Sequence, residues 1–218
     1  MFTAFEKLPD EKKELILKIC IEEFVENGYE KTSTDTITSR AGISKGILFH
    51  YFKSKKNLFL YIVNYIFELI TVKVMAEVEK IHEKDFFKRI KDMVIAKQKI
   101  TFHHYQETQL LMNVLANPPV AVKSEIEELY AKHLETYGNP ELQEMLYMKN
   151  LLDCNQLRDD VDLDHVMNIT MCTLEQLTNK YLALYKNKQY DFLENPEPML
   201  KEFDAYIEII KRGAYKNE

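Results

Sequence analysis

The chain of 218 residues is poor in the residues that interrupt regular structure, with only 5 glycines and 6 prolines. So few breakers argue against a many-stranded β fold with its tight turns and suit long helices. Cysteine is scarce too. Cys20, Cys154 and Cys172 are odd in number and far apart, so neither a disulfide framework nor a CxxC metal or redox pair follows from local spacing. A reducing, cytoplasmic compartment is expected. Met1 to Lys7 lacks a basic segment followed by an apolar run, so no signal peptide is expected. The most apolar stretch, Leu58 to Met75, contains Asn64, Glu68 and Lys73 and is too polar to span a bilayer, so no membrane partner is expected.

Catalytic and metal signatures are also missing. There is no Gly-rich phosphate loop, no HExxH and no GxSxG. Asp160-x-Asp162-x-Asp164 begins like a calcium loop, but His165 stands where glycine is needed and Met171 where the bidentate glutamate belongs. His103 and His104 are adjacent on a helical segment, so they point about 100° apart and chelate poorly. No catalytic residue, no metal and no cofactor is assigned, and the chain is not expected to be an enzyme.

What is present is a helical pattern and a localised charge. Ile16, Ile19, Cys20 and Phe24 share one face of a first helix from about Pro9 to Asn27, which Gly28 ends as a left-handed cap. Thr32 with Asp35 reads as a capping box opening a short helix over about Ser33 to Ala41. Gly42 makes the turn, and Ser44 caps a third helix over about Lys45 to Phe52. Two short helices around a glycine turn are the signature of a helix-turn-helix. Ser54 then caps a helix reaching the high seventies, and further helices are expected over 85–104, 105–116, 120–137, 140–154, 164–186 and 198–212. Nine or ten helices and no strand result. The formal charge is −6 overall, yet Lys31, Arg40, Lys45, Lys53, Lys55 and Lys56 face only Asp35 between them. A basic patch of this kind is the footprint of a phosphate-binding surface.

The run NGYEKTSTDTITSRAGISKGILFHYFKSKKNLFL, from Asn27 to Leu60, resembles the TetR/AcrR family of bacterial transcriptional regulators. The resemblance rests on Asn27-Gly28-Tyr29, Thr32, Ile37, Ala41-Gly42-Ile43-Ser44, Lys45-Gly46, Leu48 to Phe52, Lys53-Ser54-Lys55, and Leu58 with Phe59. It implies an all-α fold divided into a three-helix, helix-turn-helix DNA-binding domain over 1–54 and a larger helical ligand-binding and dimerisation domain over 55–218. By the same resemblance, double-stranded operator DNA is contacted by Thr34, Ser44, Lys45, Gly46, Ile47, Phe49, Tyr51 and Lys55. Gly46 would let the backbone approach the sugar–phosphate chain closely, and Lys45 and Lys55 would meet phosphates. Phe49 stands where tyrosine is common in the family, and lacks the hydroxyl. Leu48 and Phe52 are expected in the core.

The resemblance further implies a homodimer built on the last two long helices, and a small-molecule effector that releases a repressor from a palindromic operator. An effector pocket would draw on Phe67, Phe102, Tyr105, Glu107, Leu111, Met112, Tyr130, Tyr147, Met171 and Glu175. Aromatic and methionine side chains make adaptable apolar pockets, and they equally make ordinary helical cores. The alternative is a helical carrier or enzyme whose N-terminal module does not bind DNA. The basic run argues against it.

Overall fold

The computed structural model describes residues 3–138, 157–192 and 194–216. Its helices, in chain order, are α1 (Thr3–Glu6), α2 (Asp10–Lys31), α3 (Thr34–Arg40), α4 (Lys45–Phe52), α5 (Lys55–Val78), α6 (Phe86–His103) and α7 (Tyr105–Ala116). A 3-10 turn, Val120–Val122, leads into α8 (Lys123–Tyr137), and α9 (Leu163–Lys186) and α10 (Glu197–Ala214) follow. The fold is all-α. Among the described residues the only β pairing reported is an isolated bridge between Leu157 and Tyr215. The helix expected over 140–154 lies outside the described residues.

The helices pack into two units that do not follow chain order: Met1–Thr71 with His104–His133, and Val72–His103 with Leu134–Glu218. The break expected after Ser54 therefore falls inside the first unit. The core of that unit joins Ile16, Cys20 and Phe24 of α2, Ile37 of α3, Leu48 and Phe52 of α4, Leu58, Phe59, Ile62, Val63, Ile66 and Phe67 of α5, and Leu110, Leu111 and Val114 of α7. Helix α5 is long and apolar enough to cross a membrane by length and composition, but its apolar side chains from Leu58 to Phe67 are spent on this core.

Two local expectations need correction. Thr32 does not open a capping box. Its hydroxyl is buried and turns back to the Gly28 carbonyl oxygen at 2.6 Å, with the Glu23 carbonyl at 3.0 Å. The cap of α3 is Ser33, whose Oγ accepts the Thr36 N–H at 3.4 Å. Neighbouring hydroxyls competed for one role, and the apolar surroundings of Thr32 drew it inward. The second correction is α1, which was not anticipated. Phe5 on it is fully buried, with its ring 4.8 Å from Phe52, 5.4 Å from Tyr61 and 5.7 Å from Tyr51. The Tyr61 hydroxyl also donates to Glu6. Burial and then this carboxylate push the Tyr61 pKa up.

The second unit is centred on Phe86, Phe87 and Ile90 of α6, Val166, Leu177 and Tyr181 of α9, and Phe203 and Ile207 of α10. Glu202 ties α9 to α10. It accepts from Lys180 at 2.6 Å and 2.7 Å, from the Tyr181 hydroxyl at 3.0 Å and from the Tyr206 hydroxyl at 2.5 Å. The carboxylates of the calcium-like run have other partners. Asp162 caps α9 by accepting from the Asp164 and His165 N–H groups at 2.8 Å and 3.2 Å, and Asp160 pairs with Arg158 at 2.6 Å.

Candidate nucleic-acid interface

The turn between α3 and α4 is set by three backbone features. Ala41 N–H returns to the Ile37 carbonyl at 2.9 Å, Gly42 takes φ 63°, and Ile43 N–H bonds the Thr38 carbonyl at 3.0 Å. Only glycine adopts that φ without a steric penalty. Ser44 then starts α4 by accepting the Ile47 N–H on its Oγ at 3.2 Å. Leu48 and Phe52 point into the core, which fixes the opposite face outward. Lys45, Gly46, Ile47 and His50 are exposed, together with Ser44. Phe49 and Tyr51 are half-buried, and Tyr51 packs edge-on against Phe5 and Phe52. Thr34 is half-buried at the start of α3.

Gly46 differs from the glycine of the turn. A Cβ placed on it would meet nothing closer than the Ser44 hydroxyl at 3.8 Å, and its φ is not positive. Neither packing nor backbone conformation within the chain explains a glycine there, so the space above it is free for a close-approaching partner.

The six bases of the basic run are not equivalent. Arg40 is clamped between Glu22 at 2.5 Å and Glu23 at 2.7 Å, and Glu23 is buried. Lys56 pairs with Glu125 of α8 at 2.5 Å, an interaction that holds the Glu125 carboxyl below its usual range. Lys45 lies 2.8 Å from Asp35, with both side chains well exposed. Lys55 donates to the Glu30 carbonyl at 3.0 Å and sits 5.0 Å from the centre of the Tyr29 ring. Asp35, the single acid of the run, stands beside Lys45 only in the fold.

The residues expected at an effector site are divided between the two units. Phe67 and Leu111 belong to the core of the first unit, and the Phe67 ring stacks 6.0 Å from Tyr130 and 4.8 Å from His133. Tyr105, Glu107 and Met112 are half-buried in the same unit, with Glu107 3.7 Å from His104. Phe102 is 71% exposed and belongs, with Met171 and Glu175, to the second unit. Tyr147 lies outside the described residues. An open cleft of about 510 Å³ in the first unit is lined by Asn57, Leu60, Tyr61, Asn64, Glu125, Glu128, Leu129 and Lys132, none of which was expected there.

Fold and site together define an all-helical protein with a helix-turn-helix near its N-terminal end. Residues 16–62 match the family described as bacterial regulatory proteins, tetR family. The chain is 46% identical over 52 residues to the HTH-type transcriptional regulator QacR of Staphylococcus aureus, a match covering 24% of this chain and 28% of that protein. It is 42% identical over 55 residues to the HTH-type transcriptional activator FasR of Mycolicibacterium smegmatis, covering 25% of each. These matches span about a quarter of each curated relative. A solved TetR family transcriptional regulator of Chloroflexus aurantiacus shares the fold over 99% of this chain and 98% of its own, at 20% identity and a TM-score of 0.55. Residues 16–62 thus carry the sequence pattern of the tetR-family DNA-binding module, and the chain as a whole shares the fold of that solved regulator.

Proposed function

We propose that this protein is a cytoplasmic transcriptional regulator that binds operator DNA through the exposed face of α4, as a homodimeric repressor released by a small-molecule effector. The carrying observation is Gly46: a glycine the fold does not require, on the outer face of a capped two-turn helix, between Lys45 and Ile47. A helix of this kind enters the major groove, and a bare backbone position admits the sugar–phosphate chain. Thr34, Ser44, Lys45, Gly46, Ile47, Phe49, Tyr51 and Lys55 are the proposed contacts. Ser44 and Lys45 are outermost, while Tyr51 reaches DNA only by its hydroxyl edge because its ring packs on Phe5.

The homodimer is the arrangement the family resemblance implies for the last two long helices, α9 and α10. Ile169 is 54% exposed and Ile209 is 68% exposed, with Tyr206 also on the surface. A second copy docked on these helices would cover these side chains. A two-fold dimer would present two α4 helices to a palindrome. The effector rests on the family resemblance. It would act by binding the DNA-competent and incompetent states unequally.

The test is binding of the purified protein to the promoter DNA beside its own gene, at two salt concentrations, with wild type and the K45A/Y51A double variant. Tight, salt-sensitive binding lost in the variant supports the reading. Weak, sequence-independent binding unaffected by the substitutions sinks it and moves the carrier or enzyme alternative ahead.

A further inference from the structure

Lys53, which follows α4, is the mirror image of Gly46. It takes φ 67° and ψ −37°, in the left-handed region that favours glycine. The Ser54 N–H reaches back to the Phe52 carbonyl at 2.8 Å. Lys53 is therefore the centre of a three-residue γ-turn of positive φ, a rare and strained conformation for a residue with a side chain. The two other positive-φ corners described in this module, Gly28 and Gly42, are glycines. Here the chain keeps a lysine.

The protein's own contacts do not account for it. Lys53 is exposed, and its ammonium donates to the His50 carbonyl at 3.1 Å in an exposed setting. Such surface contacts contribute little to stability. Gly46, His50 and Lys53 are all exposed, and Lys53 stands directly after the last residue of α4. Lys45 opens the helix and Lys53 closes it. An eight-residue helix is about 12 Å long, comparable to the width of about 12 Å of the major groove.

We infer that Lys53 is a further DNA-binding residue. The strained turn holds its ammonium at the end of α4 remote from Lys45, where it meets a backbone phosphate of the bound duplex. This rests on the DNA-binding reading above. Phosphate is the expected ligand because an ammonium makes a point-charge contact without base information. The turn also sets the start of α5, since Ser54 Oγ accepts the Asn57 N–H at 3.1 Å. The lysine is thus held between two fixed helices.

The experiment uses the full chain and a duplex selected by the wild-type protein from a random-sequence library. K53G, K53M and K53R are compared with wild type for melting temperature and for affinity across a salt series. K53G is expected to melt about 2–4 °C higher, because glycine relieves the turn. K53G and K53M are each expected to bind about fivefold more weakly at 0.15 M salt for each protein copy bound, with the salt slope shallower by about one. K53R is expected to bind as wild type does. If K53M binds with unchanged affinity and slope, the inference falls while the DNA-binding reading stands. If K53G melts lower and binds unchanged, Lys53 is a helix cap and nothing more. If the selection enriches no sequence, both readings fall.

Discussion

Replacing Gly46 by alanine sets folding against function. The added methyl would find open space, its nearest neighbour being the Ser44 hydroxyl at 3.8 Å. Alanine in a helix is more stable than glycine by about 0.5–1 kcal/mol, because the unfolded glycine chain has more freedom to lose. For a chain of this size that is a rise of about 1–4 °C in melting temperature. Against DNA the same methyl stands where the backbone must come close. Overpacking of a fitted surface costs about 1–3 kcal/mol, so G46A should bind operator roughly tenfold more weakly, or worse. The assays are a thermal melt and a fluorescence-anisotropy titration with the same duplex. A variant that is more stable and binds undiminished would refute close approach at Gly46. A variant that melts lower would show that the fold needs the glycine after all, and the observation carrying the proposed function would be lost.

Three other perturbations separate the roles of charge. D35N removes the acid that faces Lys45; sequence-independent DNA affinity should rise about fivefold at 0.15 M salt, and equal affinity in a non-specific duplex titration would mean that the pair is irrelevant to binding. E23A takes away the buried carboxylate that holds Arg40 and accepts from Asn27. It should destabilise by about 2 kcal/mol, a fall of several degrees in a thermal melt, while operator affinity of the folded protein stays near wild type. Glu202 is held below the usual glutamate range by Lys180 first, then Tyr206 and Tyr181. A depressed carboxyl contributes stability above its unfolded pKa and loses it as pH falls toward the folded value. The acid limb of a stability profile should therefore steepen below about pH 4.3, and E202Q should flatten it; an unchanged limb would place the acid sensitivity elsewhere.

How far the sequence reached depended on whether a feature is local. Helix α4 was legible to the residue because each determinant lies within ten positions: Gly42 for the turn, Ser44 for the cap, Leu48 and Phe52 for the buried face. Helix α7 and the long α5, α9 and α10 were legible from periodicity within a residue or two at each end. The four-residue α1 was not, since one turn of helix has no periodicity to read and exists only because Phe5 finds Tyr51, Phe52 and Tyr61. The cap of α3 was misplaced because Thr32 and Ser33 offer the same chemistry, and only the buried surroundings of Thr32 separate them. At the site, the residue types were legible but their exposure was not. Tyr51 looked as available as Lys45, yet its ring is braced by α1. The strain at Lys53 leaves no trace in composition or spacing, because a backbone angle is a property of the folded corner. The effector residues could not be read as pocket or core from the sequence. Apolar side chains at helical spacing serve cores and pockets alike, and the packing put Phe67 and Leu111 in a core.

The same distinction changes what the basic run predicts. Counted along the sequence it offers six cations to phosphate. In the fold, Arg40 and Lys56 are committed to Glu22, Glu23 and Glu125, none of which lies within the run. Lys45 is held by Asp35, but that pair is exposed, and an exposed pair exchanges its partner at little cost. Lys31, Lys53 and Lys55 have no carboxylate at ion-pair distance among the described residues. Four cations per copy are then free to displace counterions. At about 0.9 counterions released per phosphate neutralised, the logarithm of affinity should fall with the logarithm of salt at a slope of about −3.6 per copy bound, against about −5.4 if all six took part. The two values are separable in a titration from 0.05 to 0.3 M salt. The shallower slope would mean that Arg40 and Lys56 serve the architecture that carries α4. The steeper one would mean that both ion pairs open on DNA, and that the Lys56–Glu125 contact couples α8 to binding.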